Sequence, residues 1–260
     1  MDTALPETLR LETRDAVAVL HLARPEKRNA LDDKTVRGVE DFFRHLSPGI
    51  GAVVLAAEGD HFCAGLDLSE MTERSAIEGV AHSQMWHRAF AEIEHGPVPV
   101  IAALKGAVVG GGLELAAAAH IRVAEESTFY ALPEGQRGLF VGGGASVRVP
   151  RLIGVSRMMD MMLTGRRYDA QDGERIGLSQ YVVADGTGVD VAVELASRIS
   201  QNAAQTNFAV TQALPLIAEA NPREGYLMES LMAALAQGTD DAKRRMNDFL
   251  AGKAAKVGRP

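Results

Sequence analysis

The chain has 260 residues, 47% of them hydrophobic, which is enough for one α/β domain with a sizeable core and excludes a disordered chain. Its net charge of −7 argues against a general nucleic-acid surface but leaves room for a local basic patch that takes a phosphate-bearing small molecule. The single cysteine, Cys63, excludes an internal disulfide framework and offers no metal cluster. The first residues lack the charged and apolar regions of a signal peptide, and no apolar run approaches the ~20 residues of a membrane span, so a cytoplasmic protein is expected.

Leu9 to Thr13 and Ala16 to Leu22 flank Arg14-Asp15 and predict a β-hairpin. A polar loop, Arg24 to Leu31, follows. Asp32 or Asp33 caps a helix to about Leu46, with Val36, Val39, Phe42 and Phe43 on one face. Ala52 to Ala56 predict a short buried strand, and Glu58 to Leu68 a loop of small residues. A long helix runs from about Ser75 to Glu94 and ends before Pro97. The β-branched run from Pro97 to Leu104 meets Lys105-Gly106, the triple glycine Gly110-Gly111-Gly112, and a helix-forming run that carries Glu114. Short strands at 121–124 and 128–131, helices at 145–152, 156–162 and 170–176, and a last strand at 181–183 complete a core over residues 1–188. Residues 189–260 show only helical patterns and no strand for them to cover, which predicts a helical appendage. Its Leu227-Met228, Leu231-Met232 and Leu235 stripe fits either ordinary core or a surface that meets another subunit.

The strand–glycine–helix stretch around Gly111 dominates the search for chemistry. A helix N-terminus presents free N–H groups and the positive end of the dipole. A phosphate loop would need lysine where Gly112 stands, and a dinucleotide fingerprint would need a glycine at Leu115. There is no G-x-S-x-G elbow, and the seven histidines show no metal-binding spacing. Cys63 reads as a small buried hydrophobe. Three loops remain: Phe62 to Asp67, Gly106 to Glu114, and Tyr130 to Glu134 with the glycines from Gly138 to Gly144. Taken singly, Glu114 reads as a first-turn charge and Glu134 as an exposed acid after a proline. Together with two glycine turns they fit a carboxylate pair that holds a water and moves protons.

The segments Arg24-Pro25-Glu26-Lys27-Arg28-Asn29-Ala30-Leu31, Phe62-Cys63-Ala64-Gly65-Leu66-Asp67-Leu68, Pro99 to Gly106 leading into Gly110 to Leu115, and Pro133-Glu134 with Gly138 and Gly142 occur in that order. In this the chain resembles the crotonase (enoyl-CoA hydratase/isomerase) family over nearly its whole length. The resemblance implies a spiral of ββα units with a C-terminal helical region that builds homotrimers, often stacked as hexamers. It implies an acyl-CoA thioester substrate, as in fatty acid metabolism, with CoA as part of the substrate and no separate cofactor or metal. The backbone N–H groups of Leu66 and Gly111 would form an oxyanion hole. Glu114 would act as base on a water and Glu134 would protonate Cα; the helix dipole would keep Glu114 ionised while burial raises Glu134. Lys27 and Arg28 would meet the nucleotide, Ala64, Asp67 and Leu68 would line the CoA path, and Phe140, Val141 and Gly142 would flank the acyl group.

Some positions depart from the family pattern. Val141 stands where proline is usual, Ala145-Ser146-Val147-Arg148 where Gly-Thr-Gln-Arg is common, and His120 where aspartate is common. Near the C-terminus Phe249 is present, but Gly252 falls at the usual lysine with Lys253 next to it. Both glutamates being present favours 2-enoyl-CoA hydration. The alternatives are a Δ3,Δ2-enoyl-CoA isomerase, another acyl-CoA lyase or hydrolase on the same scaffold, or a non-catalytic trimeric CoA- or RNA-binding protein.

Overall fold

The structure, a computed structural model, describes residues 5–70 and 73–253. The chain divides into two compact units after Ser200. In the first, β1 (Leu9–Arg14) and β2 (Val17–Leu22) lead into α1 (Asp33–Arg44), and β3 (Ala52–Ala57) into α2 (Ala76–Glu94). β4 (Val100–Leu104), β5 (Ala107–Val109) and α3 (Gly111–Ala118) follow, then β6 (Ile121–Glu125), β7 (Phe129–Ala131), α4 (Ala145–Ile153) and α5 (Val155–Thr164). β8 (Tyr168–Asp169), α6 (Ala170–Ile176), β9 (Tyr181–Val183) and α7 (Gly188–Ser200) complete the unit.

The larger sheet has six strands in the order β1-β2-β3-β4-β6-β9, antiparallel at the first hairpin and parallel elsewhere. A smaller sheet holds β5-β7-β8. Each long strand hands on to a short one in the second sheet: β4 to β5, and β6 to β7. After β3, a single bridge between Cys63 and Val108 takes that place. This gives the expected spiral of ββα units. It also carries the chain from the big sheet across to the small one just before α2 and α3, which is where the site forms. Two caps fix the entries: Asp32 accepts the Thr35 N–H at 2.7 Å at the start of α1, and Ser75 with Glu78 forms a capping box at the start of α2.

β2, β3 and β4 are buried along their full length. That is why they read as continuous apolar runs rather than alternating ones. Alternate side chains serve opposite faces. Leu20, Leu55 and Ala102 pack with Phe43 of α1 and with Phe90 and Ile93 of α2. Val19, Val54 and Ile101 pack on the other face with Ala192, Leu195 and Ala196 of α7. So α7 has a sheet to cover, contrary to the expectation that residues after 188 form an appendage. Small alanines let it lie close on the strands, and the boundary falls after Ser200 instead.

The second unit contains α8 (Ala204–Phe208), a π-helical turn (Ala209–Ala213), α9 (Leu214–Glu219), α10 (Pro222–Gln237) and α11 (Asp240–Leu250). The backbone stays helical from Ala204 to Glu219, with the π-turn inserted just before Pro215, whose missing N–H the wider turn accommodates. On α10, Leu227, Leu231 and Leu235 are exposed, whereas Met228 and Met232 turn partly inward. Among the described residues, no helix is long and apolar enough to cross a membrane, and no cluster of three or more His, Cys, Asp or Glu could hold a metal ion.

Candidate active site

The site starts with two backbone N–H groups. Leu31 donates to the Gly65 carbonyl and accepts from the Asp67 N–H, both at 2.8 Å. In such a parallel bridge the bonds engage the residues on either side of Leu66, so the N–H of Leu66 itself points away. Gly111 opens α3, where an N–H has no acceptor within the helix. Neither group donates to an acceptor among the described residues. A Cβ built on Gly111 would lie 3.4 Å from the Leu66 nitrogen, so the two N–H groups flank one small space. Glycine is needed around it. Gly110 has φ +52°, and Gly65, at φ +101°, leaves only 3.3 Å between a built Cβ and the Gly111 nitrogen.

This space opens into a cleft of about 330 Å³. The cleft brings together Ala64, Leu66, Leu68, Gly111, Glu114, Glu134, Phe140, Val141 and Gly142, as the sequence suggests. Sequence reasoning missed the wall supplied by α2, where His82, Ser83 and Trp86 line the cleft. Their spacing of three to four residues was a readable signal for one helix face. Trp86 lies edge-on to Phe90 with ring centroids 5.5 Å apart, and its ring abuts Gly111 and Gly143. The cations Arg74 and Arg137 also line the cleft and were not anticipated.

Glu114 sits in the first turn of α3, almost fully buried. Its Oε1 accepts N–H bonds from Gly143 at 2.7 Å and Ala145 at 3.1 Å. Glu134 follows Pro133 at the start of a 3-10 turn, and its Oε1 lies against Gly110. Its buried Oε2 has no hydrogen-bond partner among the described residues. Both carboxyls are pushed above the usual glutamate range. For Glu114 burial is the main cause, opposed by the two N–H donors and the nearby Arg148. For Glu134 burial leads too, and the charge of Glu114 adds to it. The expectation that the dipole would hold Glu114 low is therefore corrected: burial outweighs the helix terminus. The two groups still differ, because donors favour the ionised form of Glu114 while a neighbouring charge favours the protonated form of Glu134.

Three predicted residues lie outside the cleft lining: Lys27, Arg28 and Asp67. The Oδ2 of Asp67 accepts from Arg24 at 2.8 Å and from Lys27 at 3.0 Å, and its Oδ1 accepts from the Ser69 hydroxyl at 2.6 Å. The Ser69 hydroxyl, then Lys27 and Arg24, hold this carboxyl well below the ordinary aspartate range. Asp67 thus latches the 24–31 loop to the segment that carries Leu66 instead of lining the cleft, and Lys27 is bonded within that latch. Arg28 is exposed at φ +52°, and its carbonyl accepts the Ala64 N–H at 3.0 Å. Buried Asn29 finishes the joint by donating to the Glu58 and His61 carbonyls. Cys63 is fully buried with its thiol pushed up to about 12, so it is no nucleophile.

Known proteins share this fold. The sequence model of the enoyl-CoA hydratase/isomerase family matches residues 12–256. A solved structure from Rhodopseudomonas palustris CGA009, provisionally named an enoyl-CoA hydratase, is 60% identical, with a TM-score of 0.93 over 96% of this chain and 97% of that one. An enoyl-CoA hydratase from Bacillus anthracis is 27% identical with a TM-score of 0.89 over 96% of this chain and 98% of that one. The Bacillus subtilis protein YngF, provisionally named an enoyl-CoA hydratase/isomerase, is 36% identical over 76% of this chain and 79% of its own length. A fatty acid oxidation complex alpha subunit from Shewanella frigidimarina is 35% identical over 77% of this chain, but the match spans only 29% of that larger protein. The chain belongs to the enoyl-CoA hydratase/isomerase, or crotonase, family.

Proposed function

We propose that the protein is an enoyl-CoA hydratase that adds water across the double bond of a 2-enoyl-CoA thioester. The observation that carries this reading is the convergence of two buried carboxyls, Glu114 and Glu134, on the cleft that also holds the free N–H groups of Leu66 and Gly111. The thioester oxygen would accept both N–H bonds. As water attacks the β-carbon, that oxygen gains the charge of an enolate, and the two donors strengthen. One such donor is worth about 10²–10³ in rate. Glu114, whose ionised form the Gly143 and Ala145 N–H groups favour against burial, takes the proton from the water. Glu134, its Oε2 free for a partner, delivers a proton to the α-carbon. The net change is one water added, with the enzyme restored when the proton passes back from Glu114 to Glu134. CoA enters as part of the substrate, and the reaction needs no separate cofactor. Arg74 and Arg137, which line the cleft, and the exposed Arg28 beside Ala64 would meet its phosphates.

The same reading includes self-association through the second unit, as trimers or pairs of trimers. Tyr226, Leu227, Leu231 and Leu235 of α10 are more than half exposed, an apolar surface of the kind that marks a protein interface.

The test is a pair of variants, Glu114→Gln and Glu134→Gln. Both N–H donors to Glu114 use Oε1, so a glutamine oxygen can accept them and the fold stays intact. Each variant should lose hydration by about 10²–10⁴ while its thermal unfolding stays cooperative. Near-normal hydration in either would overturn the mechanism. Retention of 3-enoyl to 2-enoyl conversion in Glu114→Gln, with no hydration by the wild type, would favour the isomerase instead.

A further inference from the structure

We infer that Arg148 is the positioning residue for Glu114, holding the Gly143–Gly144 turn so that its N–H groups fix the carboxylate. The inference rests on the hydratase reading above.

Glu114 is aimed by backbone rather than by side chains. Its Oε1 takes the N–H of Gly143 at 2.7 Å and of Ala145 at 3.1 Å. These donors belong to a turn containing Gly142, Gly143 and Gly144, whose backbone has more freedom than any other residue type would allow. Something must hold it still. Arg148, one turn into α4 and largely buried, donates from Nη1 to the Gly143 carbonyl at 3.2 Å. Its Nε donates to Glu94 Oε2 at 2.7 Å, which anchors the guanidinium to the last residue of α2. Gly144 adopts φ +109°, and a Cβ there would strike the guanidinium, so the glycine is what lets Arg148 fold back over the turn.

The chain of contacts is therefore continuous: Glu94 to Arg148, Arg148 to the Gly143 carbonyl, and the Gly143 N–H to Glu114. The Gly143 carbonyl and N–H lie in the two peptide planes that meet at its Cα, so holding one end with the guanidinium and the other with Glu114 limits how far this glycine can swing. α2 enters twice, since Trp86 also abuts Gly143. The planar fork of arginine suits this, because it meets two acceptors at a fixed angle, which a lysine ammonium on a flexible stem does not.

The charge of Arg148 acts on Glu114 as well. The other titratable or charged groups on the cleft around Glu114, among the described residues, are Glu134, with Arg137 near it, in the turn after β7; His82 on the α2 wall; Arg74 just before α2; and Glu94 beyond Arg148. Arg148 is the cation that favours the ionised form of Glu114.

The experiment compares the pH dependence of hydration, with crotonyl-CoA as the probe, in wild type, Arg148→Gln, Arg148→Lys and Glu94→Gln. Arg148→Gln should lower kcat by about 10–100-fold, because a small misplacement of a reacting group costs that much. KM should stay within about twofold, since the N–H groups of Leu66 and Gly111 and the CoA path are untouched. The acid limb of the kcat profile should move to higher pH, because loss of a cation raises the Glu114 pKa. Arg148→Lys should return the acid limb toward wild type while restoring kcat only in part. If Arg148→Gln fails to fold, Glu94→Gln carries the test: it leaves the guanidinium in place and weakens one anchor, and kcat should fall about three- to tenfold with KM unchanged. A purely structural arginine would lower the melting temperature and leave kcat and the acid limb unmoved, and that result overturns the inference. Wild-type protein that hydrates no enoyl thioester would overturn the hydratase reading and this inference with it. Active wild type with unmoved variants would overturn this inference alone.

Discussion

The sharpest perturbation of the proposed oxyanion hole is a single methyl group at Gly111. A backbone N–H cannot be deleted by a side-chain change, but it can be crowded. A Cβ on Gly111 would sit 3.4 Å from the Leu66 nitrogen, and 3.0 Å and 3.2 Å from two ring carbons of Trp86. The first distance places the methyl in the space where the thioester oxygen has to accept both bonds. The ring contacts are tight, so Trp86 has to shift by a few tenths of an ångström. Helix formation pulls the other way, because alanine is favoured over glycine in a helix by about 0.8–1.0 kcal/mol. Stability should therefore change little, while the transition state loses one donor's worth, about 2.7–4 kcal/mol or 10²–10³ in rate. The assay is the loss of the conjugated enoyl absorbance of a 2-enoyl-CoA, measured beside a thermal melt. Gly111→Ala with a near-native melt and hydration within about threefold of wild type would refute the placement of the oxyanion hole.

Three more outcomes follow from the same geometry. Burial raises both Glu114 and Glu134, so each ionises at some cost to the fold. That cost is absent below the unfolded-state pKa of about 4.3 and grows as pH rises through the raised folded values. Glu114→Gln should thus melt higher than wild type at neutral pH, with the gap closing below pH ~4; a variant less stable than wild type at neutral pH would contradict this. Cys63, buried with its thiol pushed up to about 12, should resist alkylation in the folded protein and react only on denaturation, as mass spectrometry would show. If α10 is an interface, light scattering should give a mass that is a multiple of three chains. Leu227→Asp with Leu231→Asp should then reduce it to one chain, and a wild-type monomer would remove that part of the proposal.

Much of the fold was legible because its signals are local. The continuous apolar runs of β3 and β4, the cap at Asp32 and the Ser75–Glu78 capping box each mark an element within a few residues. Glu114 and Glu134 were legible through the glycine turns beside them. What was missed depends on contacts far apart in the chain. Nothing around residue 190 announces that α7 packs on strands far earlier in the sequence, from β2 to β6. Asp67 looked like a binding residue because it stands beside Leu66, yet its partners, Arg24 and Lys27, come from a distant loop. Arg148 stood only within a stretch that departs from the family pattern, and its role rests on its bonds to Glu94 and Gly143. The direction of the Glu114 shift was misread for a related reason, since the depth of burial is a tertiary property that a helix position does not reveal.

The central claim is that Glu114 and Glu134 add water to a 2-enoyl-CoA whose thioester oxygen rests on the Leu66 and Gly111 N–H groups. The most direct measurement incubates the wild-type protein with a panel of 2-enoyl-CoA thioesters, aliphatic and aromatic, in isotope-labelled water. The conjugated absorbance is followed, and the product is examined by mass spectrometry. The account predicts loss of absorbance with at least one thioester, and a 3-hydroxyacyl-CoA that carries the labelled oxygen on its β-carbon. Unchanged absorbance across the panel, from protein that binds acetoacetyl-CoA and is folded, would contradict it.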